Sequence, residues 1–185
     1  MRKLVYLIFA LPLLMSMAVV SSCNDDESSD VWDDYKEWRE LNENWLQEQA
    51  ARDDGSGKAY YKRIVPPWNP GVYILMHNFT DPEATKDNLV PLMSSTVSVK
   101  YKGVFYEGTP FDSSYTRVDS LYTTKLTTVI DGWQIALQYM HVGDSVEVIL
   151  PYNVAYGVSG SSAIPPFSAL KFNIKLVDIP SYQKK

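Results

Sequence analysis

At 185 residues with a formal net charge of −5, the chain has room for one ordinary domain plus appendages. Hydrophobic residues at 45% and aromatics at 13% supply a packed core, which excludes a wholly disordered chain. The acidic balance excludes nucleic acid as a partner, because phosphate binding needs a basic surface that releases counterions.

The chain opens with Arg2 and Lys3, followed by an apolar stretch from Leu4 to Val20 that Pro12 and Ser16 interrupt. Val20-Ser21-Ser22-Cys23 closes the stretch, giving residues 1–22 the layout of a secretion signal. A small-residue run ending in the chain's only cysteine resembles a bacterial lipoprotein signal. That resemblance implies a mature N-terminus at Cys23, acylated and held in a lipid membrane. The other reading is an uncleaved anchor helix with an incidental cysteine, for which the apolar run is short. A lone cysteine in an exported protein has no internal disulfide to form, so lipidation gives it a use. Losing Arg2 and Lys3 with the leader takes the net charge from −5 down by two, to −7. Residues 23–30 read as a solvated acidic tether, extended by its like charges. An acidic run after a lipidated cysteine also resembles the surface-export signals of Bacteroidetes lipoproteins. The expected location is the bacterial cell envelope, lipid-anchored at the outer membrane, on its periplasmic or its exposed side.

Residues 31–58 read as an amphipathic helix and a linker. Asp30 suits an N-cap, Asp33 and Asp34 suit the first turn, and Asp54-Gly55 ends the pattern. Trp32, Tyr35, Trp38, Leu41 and Trp45 recur at steps of three or four and form one aromatic stripe. Such a stripe must bury against something: the adjoining domain, which helical aromatic stripes usually do, or a dimer or other partner surface. Gly55-Ser56-Gly57 reads as a flexible joint.

The globular domain is expected over residues 59–181. Pro66, Pro67 and Pro70 break regular structure ahead of a strand at Gly71–Met76, and His77–Ser95 is loop-like. Val97, Val99 and Tyr101 alternate with polar residues, as do Val146, Val148 and Leu150, and again Leu170, Phe172, Ile174 and Leu176. A shorter strand runs through Tyr122, Thr124 and Leu126. Trp133, Ala136, Leu137 and Met140 follow helical spacing, and Val142-Gly143-Asp144 stops that helix. Half-buried strands around one short helix give an α+β fold, an antiparallel sheet curled over the helix.

Four short stretches carry the chemistry: Phe111-Asp112-Ser113-Ser114, Val129-Ile130-Asp131-Gly132-Trp133, Ala155-Tyr156-Gly157 and Ile164-Pro165-Pro166. They mix aromatics, branched aliphatics and one carboxylate with no nucleophile–base pair, which builds an apolar pocket with a few polar tips. In this order they resemble the FKBP-type peptidyl-prolyl cis–trans isomerase family, over roughly Gly71 to Ile179. The resemblance implies the FKBP-like fold and an isomerase of X-Pro bonds, working without metal or cofactor on proline-containing unfolded polypeptides. Macrolide inhibitors become possible ligands of the same pocket.

The resemblance also implies roles by position. Tyr101 lines the pocket, Phe111 is an aromatic wall and Asp112 is the carboxylate near the reacting carbonyl. Arg117 stands where a basic residue often orients that carboxylate and tyrosine. Val129 and Ile130 form the rim, with the Ile130 N–H bonding the ligand, and Trp133 is the floor under the proline ring. Tyr156 carries the hydroxyl that reaches a substrate carbonyl, while Ile164 and Phe172 complete the apolar walls. Tyr122 stands loosely in place of a wall phenylalanine. Taken singly, each aromatic reads as ordinary core and Asp112 as a turn residue. Two departures border the cleft: residues 158–163 form a short loop without a ring, and the segment from His77 to Ser95 is long. They leave open the preference for the residue before proline and the affinity for macrolides.

Other chemistry is poorly supported, since Ser113 and Ser114 lack a histidine partner and no spacing resembles a zinc site. The competing reading is a non-catalytic chaperone or partner-binding module using the same pocket. Loss of Asp112, Trp133 or Tyr156 would favour it, and all three are present. The oligomeric state and the client proteins are not written in the sequence.

Overall fold

Period-two alternation selects strands that bury one edge of side chains, and here it places the three longest runs side by side. The computed structural model describes residues 27–182; the leader, Cys23 and the first half of the acidic tether lie outside them. In chain order the elements are α1 (Glu27–Asp34), α2 (Lys36–Ala51), β1 (Lys62–Ile64), β2 (Ile74–Asn78), α3 (Pro82–Thr85), β3 (Thr96–Val104), β4 (Pro110–Ser113), β5 (Tyr122–Lys125), α4 (Asp131–Leu137), β6 (Ser145–Leu150) and β7 (Leu170–Ser181). The strands form one antiparallel sheet in the order β1-β2-β6-β7-β3-β4, with β5 also beside β3. The fold is α+β, an antiparallel sheet with a short helix against it, as expected from the sequence.

β7 sits between β6 and β3, with Phe172 opposite Val148 on one side and Gly103 on the other. The inner face carries Val97, Val99, Val148, Leu150, Ile174 and Leu176, all buried, and α4 lies against it through Trp133, Ala136 and Leu137. Gly132 allows this approach: a Cβ there would fall 2.5 Å from a methyl of the fully buried Leu150. The outer face is also covered. Leu75 and Ile149 point away from α4, join Tyr61, and are capped by Trp45 and Leu46 of α2. Each such side chain contributes about 1.5–3 kcal/mol on burial. Helix, sheet and helix thus make three layers.

The edge of β3 is shared by two short strands. β5 pairs with Thr96–Val99 and β4 with Lys102–Val104, and residues 114–121 loop out between them. The Tyr101 backbone, left in the gap, is satisfied by side chains instead. Its N–H donates to Ser114 Oγ at 2.9 Å, and its carbonyl accepts from Ser113 Oγ at 3.2 Å. The two serines of Phe111-Asp112-Ser113-Ser114 therefore close a broken strand ladder.

Several expectations need correction. The N-terminal helix starts at Glu27, so Asp30 lies inside α1 and does not cap it; a turn residue, Tyr35, separates α1 from α2. The docking face of α2 is wider than the aromatic stripe: Trp38 and Trp45 pack on the domain while Leu41 is 44% exposed, and the buried residues are Asn42 and Arg39. That face meets backbone groups, so it needs polar partners. Asn42 Oδ1 accepts from the Ala169 N–H at 2.9 Å, and Trp38 Nε1 donates to Ser168 Oγ at 3.1 Å. The helix packs on its own domain. Gly55-Ser56-Gly57 is an ordered turn, in which Asp53 and Asp54 accept from the N–H groups of Gly55 and Ser56 and Asp53 bridges to Ala59. β2 lies further along than Gly71–Met76, because residues 69–72 form a turn closed by Val72 N–H to Asn69 O. His77–Ser95 contains the end of β2 and the short α3, capped by Asp81 with Pro82 in its first turn. α4 ends at Leu137, before Met140 and Val142-Gly143-Asp144; Met140 is still fully buried, reached by a tighter turn.

Candidate active site

The short α4 points its third residue, Trp133, at the concave side of the sheet, where the indole is 4% exposed. It forms the floor of a cavity of about 250 Å³. Aromatic rings stand edge-on around it: Tyr101 at 4.9 Å between centroids, Phe172 at 5.4 Å and Tyr122 at 6.4 Å. Phe111 packs on Phe172 at 5.5 Å and completes that wall. Val129, Ile130 and Thr128 line the opposite side, and Tyr156 stands at the mouth, 38% exposed. Perpendicular rings suit the aromatic quadrupole, so the walls hold their shape without a polar filler.

Phe111 owes its aim to an irregularity in the sheet. Gly103 pairs with Asp112 and Val104 with Pro110, which leaves Phe111 as the extra, unpaired residue of a β-bulge. Gly103 clears the space beneath it: a Cβ there would fall 2.6 Å from Phe111 and 2.8 Å from Phe172.

Polar groups are few and specifically placed. Asp112 is the single carboxylate in the lining; its Oδ2 accepts from the Tyr101 hydroxyl at 2.5 Å and its Oδ1 from the Ser113 N–H at 2.7 Å. Burial first, then the hydrogen bond to Asp112 and its charge, push the Tyr101 hydroxyl well above the ordinary tyrosine range. Burial and the Asp112 charge raise Tyr156 as well. Both hydroxyls are therefore neutral donors at physiological pH. The Ile130 N–H, at the start of α4, has no acceptor among the described residues, nor has the buried Trp133 indole N–H. The lining contains no nucleophile–base pair; what it offers is an aromatic slot with a few hydrogen-bond donors at its edge.

Of the residues singled out in the sequence, Tyr101, Phe111, Asp112, Val129, Ile130, Trp133, Tyr156 and Phe172 surround this one cavity. Two do not. Arg117 makes no ion pair with Asp112; its guanidinium lies 4.9 Å from the centroid of the Tyr122 ring, on the exposed loop that leaves β4. Asp112 takes its hydrogen bonds from Tyr101 and Ser113, while the charge of Arg117 still acts on the Tyr101 hydroxyl, against the upward push of burial and Asp112. Ile164 does not line the cavity: it is 4% exposed and sits in the hydrophobic core, its segment turned inward by the Ser161–Ile164 bridge. Thr128 was not foreseen; its hydroxyl donates to the Lys125 carbonyl at 2.8 Å, and its only signal in the sequence is its place just before Val129. Tyr122 proves to be a full wall residue.

Residues 90–177 match the family model described as FKBP-type peptidyl-prolyl cis-trans isomerase. Among curated proteins, the chain is 33% identical over 139 residues to the FKBP-type peptidyl-prolyl cis-trans isomerase FkpA of Escherichia coli, covering 72% of this chain and 49% of that one. It thus spans about half the length of the relative it matches. The crystal structure of Escherichia coli FkpA superimposes with a TM-score of 0.58 at 27% identity, covering 83% of this chain and 61% of the other. A peptidyl-prolyl cis-trans isomerase from Pseudomonas syringae shares the fold, with a TM-score of 0.63 at 24% identity over 80% of this chain and 96% of the other. With the aromatic pocket and these likenesses together, the chain belongs to the FKBP-type peptidyl-prolyl cis–trans isomerase family.

Proposed function

We propose that the protein is a foldase that isomerises X-Pro bonds of exported polypeptides while anchored by lipid on Cys23 in a bacterial envelope membrane. The observation that carries the catalytic part is the pocket itself, a floor of Trp133 walled by rings, with Tyr101, Asp112 and Tyr156 at its polar edge. Rotation about a prolyl bond breaks no covalent bond; the obstacle is amide resonance, worth about 18–20 kcal/mol. The uncatalysed step takes tens to hundreds of seconds. A site accelerates it by binding the twisted amide better than either planar form. Twisting removes conjugation and makes the carbonyl less polar, so a dry aromatic slot accommodates it better than water does. The proline ring sits on Trp133. The Ile130 N–H and the Tyr156 hydroxyl donate to the flanking carbonyls, and Asp112, fixed by Tyr101, faces the reacting one.

The envelope assignment rests on Arg2, Lys3, the apolar stretch to Val20 and the Ser21-Ser22-Cys23 ending. Several acyl chains on one residue hold a protein stably where a single chain does not. Two experiments test the whole reading. A protease-coupled assay on a proline peptide should show catalysed isomerisation. A purified, folded protein that binds unfolded polypeptide without accelerating isomerisation would establish the chaperone reading instead. Cys23→Ala should leave the membrane fraction or retain its leader; fractionation and migration like wild type would overturn the lipid anchor.

A further inference from the structure

The helix α2 touches the pocket's supports from behind at one residue, Trp38. Its ring packs edge-on against Phe105 at 6.0 Å and Tyr106 at 5.3 Å, both in the turn that joins β3 to β4. Phe105 in turn packs on Phe111 at 5.0 Å. The indole N–H of Trp38 donates to Ser168 Oγ, and that hydroxyl donates to the Pro165 carbonyl at 2.7 Å. One side chain therefore reaches both the strand that carries a pocket wall and the Ile164-Pro165-Pro166 loop.

The wall it reaches is the one the sheet does not fix. Phe111 is the bulged residue of β4, outside the ladder pairing that sets its neighbours. A bulge re-aims a side chain but leaves its final angle to packing. The packing on Phe111 comes from Phe172 on the pocket side and from Phe105 on the other.

We infer that Trp38 is a positioning residue for the isomerase site: α2 acts through the relay Trp38–Phe105–Phe111 to set the angle of the Phe111 wall. The helix is then part of the working enzyme as well as a cover for the outer face of the sheet. A wall that tilts by a fraction of an ångström changes how well the twisted amide is gripped.

The experiment compares wild type, Trp38→Ala, Trp38→Phe and Phe105→Leu in the full chain. Isomerase kcat and KM are measured well below the melting temperature of the weakest variant, and the Phe111 ring resonances are followed by NMR. Trp38→Ala should lower kcat/KM about 10-fold, mainly through kcat, and should shift the Phe111 resonances. Trp38→Phe keeps a ring against Phe105 and should recover most of the rate. Phe105→Leu lies outside the pocket lining and should reproduce the loss even if Trp38→Ala does not fold. A purely structural helix predicts lower melting temperatures with wild-type kcat/KM and unmoved Phe111 resonances, and that result overturns the inference. The kinetic arm rests on the isomerase reading; the ring resonances do not. If wild type itself proves inactive, a shift of Phe111 in Trp38→Ala still supports the relay and an unmoved ring still refutes it.

Discussion

Gly103→Ala tests the pocket wall with the smallest possible perturbation. Gly103 lies in β3 in an extended conformation that alanine adopts, so the effect is steric. The new Cβ would meet Phe111 at 2.6 and 2.8 Å and Phe172 at 2.8 Å. Ordinary carbon contacts lie near 3.5–4.0 Å, so the rings must withdraw by about 1 Å. Phe172 is 3% exposed and held within the core, whereas Phe111 is half-buried on a bulge, so Phe111 gives way. Overpacking of this kind costs about 1–3 kcal/mol, offset by about 0.4–1 from the stiffer unfolded chain. The net expectation is a loss of about 1–2 kcal/mol in urea denaturation. The displaced wall should lower kcat/KM by about 10–100-fold in the protease-coupled assay. A variant with wild-type stability and kcat/KM within twofold of wild type would show that Phe111 is not where the geometry puts it.

Ser114→Ala removes the acceptor of the Tyr101 N–H at a fully buried position, and should cost about 1–3 kcal/mol in denaturant unfolding, since no strand partner replaces it. Tyr156→Phe keeps the ring and removes one donor from the pocket mouth; a partial loss of about 1 kcal/mol in transition-state stabilisation, read from kcat/KM, is expected. Tyr101 has its folded pKa raised by burial, so the folded state holds the proton more tightly than the unfolded chain. The stability this contributes is complete below the ordinary tyrosine value of about 10 and is lost as pH climbs from there through the raised folded value. Tyr101→Phe should therefore flatten the alkaline decline in stability above pH ~10 and leave the slope near neutrality unchanged; Tyr61, raised by burial and by Glu147, adds to the same window. Asn42→Ala strands the Ala169 N–H beneath α2 and should lower stability by about 1–3 kcal/mol in thermal or urea unfolding.

Alternation made β3, β6 and β7 readable, because each buries one side against α4 while most residues of the other are wet or half-wet, with Ser98 and Ile149 among the exceptions. The helical spacing of Trp133, Ala136 and Leu137 was equally readable, since that face must meet the sheet. β1 and β4 are too short to show a period, at three and four residues. The bulge at Phe111 leaves no trace in composition, and neither does the split edge that Ser113 and Ser114 repair. Arg117 shows the limit of reading by position. Its place in the motif suggested a cation that orients Asp112 and Tyr101, yet Asp112 takes its hydrogen bonds from Tyr101 and Ser113 and the guanidinium rests on the Tyr122 ring. Ile164 fails for a related reason, as an apolar residue near a pocket and one in the adjacent core look alike in sequence. The place of Asn42 in the docking face of α2 could not be foreseen either, because its partner is a backbone amide 127 residues away.

The placement of β7 has a consequence for how the chain acquires its structure during synthesis. β1, β2 and β6 form one antiparallel group and β3, β4 and β5 another, and it is β7 that joins them by pairing with both β6 and β3. Until residues 170–181 have left the ribosome, the nascent polypeptide holds two separate half-sheets, and α2 lacks Ser168 and Ala169 to dock on. Such non-local closure makes folding slow and leaves apolar strands uncovered in the meantime. The core of this domain is thus completed only once β7, the last strand of the described residues, is in place.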